Sequence, residues 1–202
     1  MLETKTMPRK ARHIIDNGYY HITTRGNNRR KVFQCDDDYF RILDIIKLYI
    51  DKYQVQILHY CLMPNHLHFL LHALRSVDLP KFMQGILQVY ANYFHRRYDS
   101  VGFLFQNRYK SIHIEKESYL LECARYIERN PVLAKICDDP KDYSWSSYLF
   151  YAEGRESRLI EKPNPCFSDL ASNPSDRQRM FRDFVLKERP YDHIIDRALR
   201  IK

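Results

Sequence analysis

The stretch VQILHYCLMPNHLHFLLHA, residues 55–73, holds two apolar runs of strand length on either side of Met63-Pro64-Asn65. Runs of this length around such a turn predict a β-hairpin. In its returning arm, alternate residues share a face, so His66, His68, Leu70 and His72 point one way and Leu67, Phe69 and Leu71 the other. The apolar set can seat helices, and the histidines are expected to face outward.

Working outward from the hairpin, GYYHITTRGNN (residues 18–28) reads as a strand of aromatic and β-branched residues ending in a Gly-Asn-Asn turn. DDDYFRILDIIKLYIDKY (36–53) follows as a helix with acids in its first turn and apolar positions at Phe40, Leu43, Ile46 and Ile50. After the hairpin, DLPKFMQGILQVYANYFHRRY (78–98) has the helical period behind an Asp78 cap, with Pro80 in the first turn. GFLFQNRYKSIHIEK (102–116) reads as extended, and ESYLLECARYIER (117–129) as one more helix. The order βαββαβ is the ferredoxin-like split βαβ pattern. It implies an α+β fold with an antiparallel sheet, helices on one face and a further helix after the last strand.

Beyond Arg155 the text turns proline-rich and mixed in charge. Residues 1–155 are therefore read as the main domain with a basic N-terminal arm, and 156–202 as an appendage of loop plus a short helix around 175–188. Its role stays open between docking on the domain, recognising a ligand and self-association.

Composition narrows the class. Of 202 residues, 45% are hydrophobic and 14% aromatic, which is a folded globule, and no apolar run is long enough to cross a bilayer. The N-terminus lacks the apolar stretch of a secretory signal, so a cytoplasmic location is expected. Five scattered cysteines without a C-x-x-C pair argue for reduced thiols. The net charge of +8 has a local origin: residues 1–35 hold eight Lys/Arg against two acids, and residues 36–155 are balanced. A basic arm and loop on a neutral body fits a partner bearing phosphates, although an unpartnered basic surface is common.

His66 and His68 on one strand face would have Cα atoms roughly 6–7 Å apart, close enough for both rings to reach one ion. Two nitrogen ligands alone hold a divalent cation poorly, and half-exposed histidines near a turn are the plainer reading. On the helix after the last strand, Leu120, Leu121, Ala124 and Ile127 form an apolar stripe. Tyr119, Cys123, Tyr126 and Asn130 fall on a separate one. Tyr126 and Asn130 are i, i+4 neighbours at the helix end, where Pro131 discourages continuation. A packing tyrosine and a pre-proline terminator explain each singly.

Together, YYHITTRGNNRRKVF, LMPNHLHFLL, FQNRYKS, ARYIERNPVLA and YSWSSY resemble, in order and spacing, the single-tyrosine HUH transposases of small insertion sequences, most closely the REP-associated branch. The resemblance covers roughly residues 8–152. It implies that His66, His68 and Asn130 bind a divalent metal, Mg²⁺ or Mn²⁺, and that Tyr126 is the nucleophile. The implied activity is a single-stranded DNA endonuclease and strand transferase acting at hairpins of repetitive extragenic palindromes through a 5′-phosphotyrosine, as monomer or homodimer, on the nucleoid when bound.

The basic, amide-rich loop Arg25, Asn27, Asn28, Arg29, Arg30 and Lys31, with Arg9, Lys10 and Arg12 ahead of it, is the expected DNA grip; Arg108 and Lys110 belong to the same expectation. Trp145 and Tyr148 read as packing anchors. The first rival is a hairpin-binding protein that has lost cleavage, and the second a metal hydrolase of another kind. An amidohydrolase barrel is typically about 250 residues and a cupin is all-β, which count against the second.

Overall fold

The computed structural model describes residues 13–189. Strand β1 (Gly18–Arg25) leads through a 3-10 turn at Asn27–Arg29 to helix α1 (Asp36–Lys52). Strands β2 (Val55–Met63) and β3 (His66–Ala73) form the expected hairpin, and helix α2 (Asp78–Tyr98) returns the chain to β4 (Lys110–Ile114). The sheet order is β2-β3-β1-β4 and every pairing is antiparallel, as the split βαβ pattern requires. Helix α3 (Ser118–Leu133) follows, then α4 (Tyr148–Glu153), α5 (Pro165–Ser168) and α6 (Pro174–Leu186).

The two faces of the sheet are buried differently. Tyr20, Ile22, Leu67, Phe69 and Leu71 pack with Ile42, Ile46, Phe82, Ile86 and Tyr90 of α1 and α2 in the main core. On the reverse face, Leu58, Cys61, Met63, Leu70 and Ile114 meet Leu120, Cys123, Tyr126 and Ile127 of α3. The histidine face of β3 is therefore covered, not open as expected: His68 is only 5% exposed. The Tyr126 stripe turns inward with it, and from that stripe only Tyr119 is left in solvent.

Three local readings need correction. The core stripe of α1 runs through Tyr39, Ile42, Leu43 and Ile46, and Phe40 is 50% exposed. The helix is rotated because Asp38 is buried, accepting from the Gln34 N–H and from the Tyr93 and Tyr98 hydroxyls at 2.7–3.0 Å. Asp78 does not cap α2; its carboxylate accepts from the Gln54 N–H and ties the helix start to the start of β2. Helix α3 continues through Pro131 to Leu133. A proline cannot donate to the carbonyl four residues back. The Asn130 side-chain Nδ2 instead donates to the Tyr126 carbonyl at 2.7 Å and, more weakly, to that of Ile127 at 3.4 Å.

The edge of β2 is capped by the chain after α3: Leu62 N–H donates to Trp145 O, Ser147 N–H to Tyr60 O, and Cys61 bridges Ser146. Trp145 stacks on Tyr39 at 4.4 Å and Tyr148 is buried, so both are packing anchors. Leu159, Ile160, Phe167, Phe181 and Val185 of the appendage enter the main core. Arg125 of α3 donates to the carbonyls of Phe184 and Lys187, which clamps α6 to α3. All five cysteines are free thiols.

Candidate functional site

Between the Arg25 end of β1, the start of β3 and the last turns of α3 lies an open cavity of about 960 Å³. Its walls carry Arg25, Asn28, Arg29, His66, His68, Arg108, Lys110, Tyr126 and Asn130, so one cavity gathers residues 105 positions apart. Asn27, Arg30 and Lys31 are not on its wall; Arg30 lies over the Phe94 ring instead, at 5.1 Å. Arg9, Lys10 and Arg12 lie outside the described residues.

The loop is shaped by backbone geometry. Asn28 and Arg29 take φ of 51° and 59°, left-handed values that asparagine tolerates better than most residues. Gly26 is required there because a Cβ would stand 2.3 Å from the Arg30 carbonyl. The 102–109 segment is stitched alongside, with Asn27 N–H donating to Leu104 O and Gln106 N–H to Arg25 O, both at 2.8 Å. Arg25, Arg29, Arg108 and Lys110 make no ion pair with any described residue, so the cavity carries uncompensated positive charge.

At the floor, the His66 and His68 rings lie 4.9 Å apart, edge to face. Nδ1 of His66 is held by Asn65 Oδ1 at 2.6 Å, and Nδ1 of His68 by Nε2 of His21 at 3.0 Å. Each ring therefore keeps Nε2 uncommitted. Burial, helped by the Arg25 charge, pushes His66 down to about 4; burial, then the neighbouring His21 and His66 and the Arg25 charge, pushes His68 well below its ordinary value; burial alone brings His21 to about 4. All three are neutral near pH 7, the state an imidazole needs to ligate a cation.

Tyr126 is 7% exposed, and its ring meets those of His21 and His68 edge-on, each at 5.6 Å. Asn130 shares the wall, its Nδ2 turned to the helix carbonyls and its Oδ1 left over. Among the described residues no three His, Cys, Asp or Glu side chains converge as a metal cluster. A cation here would have to complete its shell with an amide oxygen, water or the substrate itself. The donor set of two Nε2 atoms and one Oδ1 fits that arrangement.

The residue that sequence reasoning passed over is His21, fully buried at the centre of the cluster. The signal was present: His21, Thr23 and Arg25 share one face of β1 by period two, three polar residues on a central strand. Asn65, which orients His66, carries no signal in the sequence beyond closing the Met63-Pro64-Asn65 turn.

Two residues along α3 lies a second polar cluster, off the cavity wall, in which Glu128 Oε2 is buried without a hydrogen-bond partner and Oε1 carries the bonds. Glu128 Oε1 accepts from His59 Nδ1 at 2.9 Å and from Ser147 Oγ at 2.5 Å, and Asn164 meets His59 Nε2 at 3.2 Å. All four residues are buried. It braces the helix that carries Tyr126.

No curated protein matches the chain. Among solved structures, a REP-associated tyrosine transposase bound to a REP hairpin superposes with a TM-score of 0.61 at 18% identity, covering 77% of this chain and 92% of its own. A candidate transposase of Deinococcus radiodurans R1 gives 0.42 at 18% identity, covering 60% and 97%. The first supports the fold. The model of the IS200-like transposases matches residues 14–130, from the approach to β1 through Asn130 and so across both histidines and Tyr126. With more than half of its length matched, the chain belongs to the IS200-like transposase family.

Proposed function

We propose that this protein is a divalent-metal-dependent single-stranded DNA endonuclease and strand transferase that acts at hairpins of the REP type. The observation that carries this reading is the meeting of Tyr126 with two neutral imidazoles in one basic cavity. The hairpin as partner is supported by the structural relative bound to one.

A phenol has a pKa of about 10 and attacks weakly near neutrality, so the phosphate must be activated and aligned. His66 and His68 through Nε2, with Asn130 through Oδ1, would hold a divalent cation, which supplies polarisation of the phosphate when bound. Mn²⁺ accepts two imidazoles more readily than Mg²⁺, which favours oxygen. Arg25, Arg29, Arg108 and Lys110 grip flanking phosphates, with Asn28 beside them. Tyr126 Oη bonds to phosphorus as it loses its proton, and the P–O3′ bond breaks. The products are a 5′-phosphotyrosine and a free 3′-OH. The phosphodiester energy is kept in that ester, so a second 3′-OH can reverse the step without a nucleotide cofactor.

The chemistry resides in residues 1–155, and 156–189 brace α3. One tyrosine cuts one strand at a time, so joining two ends takes a dimer or sequential turnovers. The setting is the cytoplasm, on the nucleoid when DNA is bound.

The test incubates end-labelled hairpin DNA with protein and Mn²⁺ or Mg²⁺, then looks for a protein–DNA adduct that survives denaturant. The wild type should form it and Tyr126→Phe should form none. An adduct with Tyr126→Phe rules out this nucleophile, and hairpin binding without cleavage under any divalent metal would favour a binding protein.

A further inference from the structure

His21 is fully buried, with Nε2 3.0 Å from His68 Nδ1 and its ring edge-on to Tyr126. Its other nitrogen, Nδ1, is buried with no hydrogen-bond partner. A single proton lies between the two facing nitrogens, and its position decides what His68 can do. If His68 Nδ1 carries it, His68 Nε2 presents a lone pair to the cavity. If His21 Nε2 carries it, the proton of His68 moves to Nε2 and blocks that lone pair.

We propose that His21 is a positioning residue: it accepts the Nδ1–H of His68, and so holds His68 in the one tautomer that can ligate a cation through Nε2. This rests on the metal reading above. The arrangement has an internal cost, which the bond from His68 Nε2 to a cation would have to offset. With Nε2 as acceptor, the proton of His21 sits on Nδ1, an N–H buried without an acceptor, and unpartnered buried donors are rarer in proteins than unpartnered acceptors. Asn65 performs the same service for His66, its Oδ1 lying 2.6 Å from Nδ1. Each histidine of the H-x-H pair is thus oriented through Nδ1, and partners in that position commonly change metal affinity 10- to 100-fold when removed.

The full-length protein should be titrated with Mn²⁺ by calorimetry as wild type, His21→Leu and His21→Gln, with hairpin affinity measured in EDTA alongside. Leucine fills similar space and accepts nothing, whereas glutamine can return a carbonyl oxygen near the position of Nε2. The expected result is a Kd for Mn²⁺ raised about 10- to 100-fold in His21→Leu and within about threefold of wild type in His21→Gln, with EDTA hairpin binding unchanged in both. A wild-type Kd for His21→Leu, or equal weakening by both variants, overturns the proposal and leaves the metal reading standing. If His66→Ala/His68→Ala binds Mn²⁺ as wild type does, the metal reading fails and takes the proposal with it. Should His21→Leu not fold, the ¹⁵N shifts of the His68 ring in the metal-free wild-type protein decide. Protonation at Nδ1 is expected, and protonation at Nε2 overturns the proposal.

Discussion

Helix α3 lies over two histidine clusters that use the same parts to opposite ends. Under Glu128, His59 is bonded at both nitrogens, to the carboxylate and to Asn164, and the cluster is sealed in protein. Under Tyr126, His66 and His68 are bonded at one nitrogen each and face a cavity. Each cluster keeps one buried atom without a partner, Glu128 Oε2 in the first and His21 Nδ1 in the second, but only the second also turns ring nitrogens toward a cavity that a ligand can enter. The difference separates brace from site more sharply than residue type does.

The strongest way to break that comparison is to exchange the consequences. His66→Ala/His68→Ala should abolish the DNA adduct and keep hairpin affinity within a few-fold. Glu128→Ala should leave His59 Nδ1 without its acceptor and Ser147 Oγ with only the Tyr60 carbonyl, and cost about 3 kcal/mol, a fall in Tm of roughly 6–12 °C for a chain of this size. Calorimetric melting and the adduct assay, run on both variants, check it. If the histidine pair proves to be the greater loss of stability, the open cluster is structural.

Acid sharpens the comparison further, because His21, His59, His66 and His68 all sit below the ordinary histidine value through burial. Between the unfolded value of 6.5 and a folded value of about 4, the unfolded chain binds more protons. Stability is therefore full above pH 6.5 and falls as pH drops toward 4. His21 alone accounts for something on the order of 3 kcal/mol over that window. Urea denaturation at pH 7, 6 and 5 should show the decline, and a flat profile would mean that these imidazoles are not buried neutral.

The order of elements, the hairpin and its register-setting turn could be read from the residues, because period-two and period-3.6 patterns act locally. The pairing of His66 and His68 was legible for the same reason. Their burial was not, since it depends on α3 crossing the reverse face of the sheet, about sixty residues later in the chain. The rotation of α1 was hidden in Asp38, an acid that looks like first-turn decoration until Tyr93 and Tyr98 close on it. His21 was missed because its meaning comes from a neighbouring strand: opposite Leu70 in register, it reaches His68 only once β1 pairs with β3.

The smallest expected effect concerns the rim. Arg29 and Arg108 line the cavity from two different loops and make no ion pair with any described residue, so each can neutralise a phosphate at no internal expense. For single strands the slope of log K against log salt changes by about 0.7 per phosphate contact, so Arg29→Ala/Arg108→Ala should flatten it by roughly 1.4. Arg30→Ala should flatten it less, because its guanidinium lies over Phe94 and off the cavity wall. Hairpin affinities measured from 50 to 200 mM salt separate these cases. An equal change from Arg30 would move the DNA path away from the cavity and onto the outer face of the loop, and the open histidine cluster would lose its claim to the substrate.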